Sequence, residues 1–167
     1  MYYLKCFIIF SLLGFIMESV VYKVSGSTSH SGVLLGPYTL VYGIGGLLTV
    51  IINKYIDKLE INNILKLIIL FIIFTVVCTL VEYLIGNLIN LIFNIDKWNY
   101  TKHKYHYGKY ICLDLALTWG LLSLFIIKFL KPFLDKVMLL IPSNTTIFIF
   151  IIIIIDILYT LFTKAYK

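Results

Sequence analysis

The chain has 167 residues, of which 61% are hydrophobic and 13% charged. Soluble domains are about half apolar and a quarter charged, so this composition points to lipid and leaves no length for a separate soluble domain. The formal net charge of +6 comes from lysine alone, and the lysines stand in loops and at the ends of apolar runs, where they reach headgroups; this excludes nucleic acid as a partner.

Five apolar segments follow one another: 6–22, 33–52, 67–93, 110–127 and 145–162. Each is long enough to cross a bilayer as a helix, which satisfies its own backbone in hydrocarbon. The expected fold is therefore all-α, a single transmembrane domain over 1–167 with about five membrane helices and the lipid bilayer as its first partner. The three cysteines, Cys6, Cys78 and Cys112, read as small buried hydrophobes rather than a disulfide framework.

In the first segment Lys5 precedes an apolar run, as in a secretory signal, but Glu18 interrupts it, and the segment is read as a retained span. Ser11, Gly14, Glu18 and Tyr22 recur at steps of 3, 4 and 4 and share one helix face. The second segment follows a short polar loop with His30 and Gly32. Gly36-Pro37 is expected to open its helix with proline at the first position, its amides pointing at an anion or at Glu18. Tyr42, Gly43, Gly45 and Gly46 follow on a closely packing face. In the third segment Thr75, Thr79, Glu82, Gly86 and Asn90 make a second polar stripe.

The stretch 96–110 interleaves Trp98, Tyr100, Tyr105, Tyr107 and Tyr110 with lysines. An interfacial belt has this composition, and so would a lid that holds an anionic headgroup with Lys109. His103, His106 and His30 are the candidate metal ligands, but their spacing matches no ligand motif, and neither metal nor cofactor is expected. The fourth segment carries Asp114 one turn in, beside Thr118, with Ala116, Gly120 and Ser123 on another face; the fifth carries Asp156 beyond its middle. The six residues 137–142 are expected to lie at an interface.

With five spans, one face would hold Lys5, Lys54, Lys58, Lys66, Lys128, Lys131 and Lys136. The other would hold Lys23, Lys97, Lys102, Lys104, Lys109, Lys164 and Lys167. Seven against seven leaves the orientation open under the positive-inside rule. A charge at the bilayer centre costs about 2.5–3.5 kcal/mol on insertion scales, so the embedded acids Glu18, Glu82, Asp114 and Asp156 must face the protein interior. They are expected to share a recess near the face that carries the long loop.

Several of these residues also carry a resemblance. Gly14-Phe15-Ile16-Met17-Glu18-Ser19 matches a Gly-Trp-x-x-Glu-Ser pattern, and His30 to Pro37 matches Asn-Arg-Gly-Phe-Leu-x-Gly-Pro. Tyr42-Gly43-Ile44-Gly45, Glu82-Tyr83, Trp98-Asn99-Tyr100, and Gly108-Lys109 before Cys112 follow in the same order. Over about 7–122 the chain resembles the ABC-transporter type IV family of bacterial multi-spanning membrane proteins. That resemblance implies a permease-like subunit. It departs at Ser31 and Lys109, where the family has arginine, and at Asn90, where it has glutamate, so a bidentate guanidinium contact is not available at 31 or 109. No GxxxxGK[ST] loop occurs, so an ATPase would be another polypeptide.

Three readings stand side by side. The first is a permease-like subunit in a bacterial cell membrane, working with itself or with an ATPase subunit. In it Glu18, Glu82 and Asp114, with Tyr42, Trp98, Tyr100 and Lys109, bind an ion or solute; Gly14, Gly32, Gly36, Pro37, Gly43, Gly45 and Gly108 shape the backbone around them. The second is a membrane enzyme acting on a lipid-linked substrate, with a carboxylate as general base. The third is a scaffold or regulatory subunit whose acids only hold neighbouring helices together.

Overall fold

The computed structural model describes residues 1–26 and 30–164. Lys167 of the lysine tally and residues 27–29 of the first loop lie outside these. Among the described residues six α-helices follow in order: α1 (Tyr2–Val24), α2 (Leu40–Ile56), α3 (Asn63–Phe93), α4 (Leu113–Phe125), α5 (Lys131–Leu140) and α6 (Ser143–Thr163). A two-stranded hairpin, β1 (His106–Tyr107) and β2 (Ile111–Cys112), precedes α4, and a π-helical turn over Ile126–Leu130 joins α4 to α5. By length and composition, Tyr2–Val24, Asn63–Phe93, Leu113–Leu140 and Ser143–Thr163 can each cross a membrane. Their outer faces leave large apolar side chains uncovered, among them Leu91, Phe129 and Phe162. Water does not tolerate such continuous apolar surface, and acyl chains do. The protein is an integral membrane protein.

The helix ends follow local chemistry. The Asn62 side chain accepts the Ile64 N–H at 2.8 Å and caps α3 at its start. Asn94, with φ 56°, closes the other end in the left-handed conformation and returns its N–H to Asn90. Pro142 stands just before α6, where it has no helical N–H to forfeit.

Two expected boundaries are corrected. The second helix begins at Leu40, so 33–39 is not helical and Pro37 is not its first residue. The amides of Gly32, just before that stretch, and of Leu35 and Gly36 within it donate to carboxylates rather than to helical carbonyls. The remaining helix has 17 residues, about 26 Å at 1.5 Å per residue, at the lower end of the spanning range. The fourth span does not end near 127 but continues through the π turn and α5 to Leu140. Lys131 is accommodated on it by Asp135 four residues on, at 2.7 Å. Residues 137–140 are the last turn of this helix, not a separate interfacial piece.

The chain groups into two compact units, one of Met1–Leu47 with Val137–Lys167, the other of Leu48–Lys136. In the first, α1 packs on α6 around Ile8, Leu34, Tyr38 and Ile153, all buried. The small residues work as the α1 stripe suggests: Gly14 lies under the Tyr42 ring, Gly43 against Ser11 and Phe7, and Gly46 against Phe10. Lys5 Nζ donates to the carbonyls of Met138 at 2.9 Å and Ile141 at 2.7 Å, a cation at a helix C-terminus. In the second unit α3 packs along α4. Gly120 admits Thr75 and Phe71, Cys78 and Ser123 touch at 3.5 Å, and Gly86 leaves room for the Tyr110 and Trp98 rings.

Candidate carboxylate sites

In the first unit, the non-helical stretch 31–39 lies against α1 and α6. Ser31 to Leu34 are buried, as are Tyr38 and Thr39. Backbone polar groups in a buried irregular segment need partners within the protein. Two carboxylates from the flanking helices supply them. Glu18 of α1 accepts the Tyr22 hydroxyl at 2.9 Å, the Ser31 hydroxyl at 2.7 Å and the Gly32 N–H at 3.3 Å. Ser31 and Thr39 share a further hydroxyl contact at 2.9 Å, and the Thr39 N–H reaches the Ser11 carbonyl of α1 at 3.0 Å. Gly32 makes this approach with φ +67°, a left-handed conformation that side-chain-bearing residues rarely adopt.

Asp156 of α6 is held more fully. It accepts the amides of Leu35 at 3.2 Å and Gly36 at 2.8 Å, the Thr160 hydroxyl at 3.1 Å, and the Tyr38 hydroxyl. An open groove of about 560 Å³ runs here, lined by Leu35, Gly36, Tyr38, Ile152, Ile155, Asp156 and Tyr159. Asp156 is its acid, and the rest of the lining is apolar, aromatic or glycine.

In the second unit Glu82 is buried on α3, 6% exposed. It accepts the Tyr100 hydroxyl at 2.6 Å and the Trp119 indole N–H of α4 at 2.8 Å. All the donors named to Glu18, Asp156 and Glu82 are neutral. Such donors satisfy a carboxylate without cancelling its charge.

Past the end of α3, Asp96 ties the long loop together. Tyr110 donates to it, as do Lys109 at 2.9 Å and Asn90 at 2.9 Å. The Tyr110 hydrogen bond, followed by that from Lys109, holds the Asp96 carboxyl below its ordinary value. A depressed folded-state value means that the contribution to stability is fully present above the unfolded value of about 3.9 and is lost as pH falls through the lower folded one. Amide exchange over 94–110 is therefore expected to speed up on acidification in that window. The Asp96→Asn protein should exchange at a rate independent of pH there, once intrinsic exchange is corrected for.

The other expected site residues are placed as follows. Glu18 and Glu82, expected to line one recess, fall in different units, and donors of its own unit serve each. Asp114 is the second residue of α4 rather than one turn in, its side chain 65% exposed and its Oδ2 3.8 Å from His103 Nδ1. Tyr42 packs on Gly14, Tyr100 holds Glu82, and Lys109 is paired with Asp96. Trp98 lies beside Gly86 with its indole N–H buried and without an acceptor among the described residues. Pro37 is exposed in the bend between Gly36 and Tyr38, Gly45 is buried in α2, and Gly108 turns the hairpin with φ +61°. His30 is exposed in the first unit, and His106 has its Nδ1 2.8 Å from the His103 carbonyl. The composition of the site differs most at Asp156, which sequence reasoning counted as an embedded acid but not as a site residue. The available signal was a lone acid after five consecutive isoleucines, 151–155.

Neither the curated proteins nor the solved structures contain a match to this chain. A family profile described as "Putative ABC-transporter type IV" does match it, over residues 5–163. That span covers nearly the whole chain and includes Glu18, Glu82 and Asp156; the chain belongs to that family.

Proposed function

We propose that the chain is a permease-like subunit of a transport system in a bacterial cell membrane, with ATP hydrolysis on a separate polypeptide. In this reading the groove beside Asp156 receives a cation or the basic group of a solute. One observation carries it: an unwound stretch, 31–39, lies against a spanning helix and ends on a carboxylate that lines an open groove. Irregular backbone among membrane helices is tolerated where it is buried in protein or lines a cavity, and in transporters such interruptions form solute and ion sites. An intramembrane acid is by default a functional group, and the groove's volume suits a small molecule. Glu18 and Glu82, ringed by neutral donors in their own units, are proposed as further proton- or cation-binding carboxylates.

A second reading has its own support. Each of the three carboxylates accepts two or more hydrogen bonds, including one from the adjoining loop, as a purely structural fastening of loop to helix would require. The two readings separate on Asp156→Asn, tested in liposomes that contain the chain with whatever polypeptides co-purify with it. Fluxes of protons, sodium, potassium and choline are followed under imposed gradients. For the transport reading, at least one wild-type flux should fall tenfold or more in the variant, while elution as a monodisperse species is retained. An unchanged flux from a well-folded variant would leave the fastening role alone standing.

A further inference from the structure

Apart from the carboxylate networks above, a group of potential metal ligands converges from different elements. His103 of the long loop, Cys112 at the end of β2 and Asp114 in the first turn of α4 place one donor atom each within 4.8 Å of one another. We propose that these three residues bind a thiolate-accepting divalent metal ion of the zinc class, separate from the transport groove.

The geometry comes from the backbone. The hairpin register sets His106 opposite Cys112, and the Leu113 N–H donates to the Tyr105 carbonyl at 2.9 Å. The loop folds back at His103, whose N–H reaches the Tyr100 carbonyl at 2.9 Å. The Tyr100 ring stands edge-on to the imidazole at 5.6 Å between centroids, which limits how the His103 ring can turn. Metal bonds of about 2.0–2.3 Å in a tetrahedral arrangement put neighbouring ligand atoms roughly 3.3–3.8 Å apart. The His103–Asp114 separation of 3.8 Å already meets that requirement, and side-chain rotation can close the remainder.

The donor set selects the ion. Thiolate with imidazole favours zinc and its first-row relatives over magnesium or calcium, which prefer all-oxygen shells. Cys112 is only 2% exposed, so the sulfur forms the floor of the site. The His103 and Asp114 side chains are 43% and 65% exposed and form a rim that an ion can reach. On binding, the cysteine gives its proton to solvent and the sulfur takes its place as a metal ligand. Three protein ligands leave a fourth position for water or an incoming donor. The bland alternative is a surface histidine–aspartate pair above a buried thiol.

The test uses the full chain in detergent, purified through a tag that contains no histidine. Cobalt(II) is titrated in as a probe, and the thiolate-to-cobalt charge-transfer absorption is recorded. We expect one equivalent to bind with that band, zinc to displace it, and a large excess of magnesium to leave it unchanged. Cys112→Ser should abolish the band, whereas Cys6→Ser and Cys78→Ser should keep it. His103→Ala, at an exposed position that does not carry the fold, should weaken zinc binding at least tenfold. A folded wild type without the band, or His103→Ala with undiminished zinc affinity, would overturn the site.

Discussion

Asp156→Ala is expected to release the stretch 31–39 from α6 and to lower stability by roughly 2–5 kcal/mol. The figure follows from the acceptors removed: four donors lose Asp156, namely the Leu35 and Gly36 amides and the Tyr38 and Thr160 hydroxyls. Hydrogen bonds between membrane helices average about 0.6 kcal/mol and reach about 1.7, because the unfolded reference state finds partners too. The Gly36 amide, partly buried and bonded at 2.8 Å, falls toward the upper end, and the Leu35 amide, on a residue 43% exposed, falls toward the average. Thermal unfolding in detergent should show the loss. Amide exchange should locate it, with protection vanishing at residues 35 and 36 before it changes in α3. Asp156→Asn keeps one oxygen acceptor and confronts the remaining donors with an amide nitrogen, so about half of the loss is expected. If alanine at this position left both melting and exchange unchanged, Asp156 would not be the fastening of this segment.

Glu82→Ala should have the next largest effect, and in the other unit. Glu82 is 6% exposed and is the acceptor for Tyr100 from the loop and for Trp119 from α4. Its removal takes a buried acceptor from two donors and leaves a side-chain-sized void between α3 and α4. The combined cost is about 2–4 kcal/mol, from the unmade hydrogen bonds and the lost packing together. The Trp119 indole reports the change directly. Its emission should shift in Glu82→Ala and much less in Glu82→Gln, whose carbonyl oxygen can still accept the indole N–H. A matching shift in a control such as Leu84→Ala, at a 62% exposed position on the same helix, would argue against a specific role for the carboxylate.

The two effects differ in kind. At Asp156 a carboxylate serves the main chain, so its loss unlocks a segment. At Glu82 the carboxylate accepts from a loop tyrosine and an α4 tryptophan, so its loss loosens the loop and the α3–α4 pair. The stripe of Thr75, Thr79, Glu82, Gly86 and Asn90 was readable in advance because it lies on a regular helix. There, a step of three or four residues maps to one face whatever the partner is. Gly86 and Glu82 are indeed buried. The α1 stripe of Ser11, Gly14, Glu18 and Tyr22 was readable for the same reason, including the Tyr22–Glu18 contact four residues apart.

The beginning of the second apolar segment was not readable in this way. Val33 to Ile52 is predominantly apolar, and its hydropathy does not distinguish a helix from an extended buried stretch of similar polarity. The helix does not extend into this stretch, where carboxylates of α1 and α6, at sequence distances of 14 to 121 residues, take the amides of Gly32, Leu35 and Gly36 in place of local carbonyls. No local pattern encodes such a competition. The end of the fourth span was missed for a related reason. Lys128 and Lys131 look like loop residues, yet both stand within the helix: Lys131 has Asp135 four residues on, and Lys128 is exposed on the π turn, where its long stem can extend outward.

By itself, the sequence determined the class of the protein, the five apolar segments and the inward faces of α1 and α3. Those properties depend on composition and on a local period, and both are written in consecutive residues. Only the tertiary structure decided that Asp156 and Glu18 hold an unwound stretch, and that His103, Cys112 and Asp114 meet at the head of α4. Those arrangements depend on which distant side chain reaches a given amide or neighbour first, and that is settled by packing in three dimensions rather than by order along the chain.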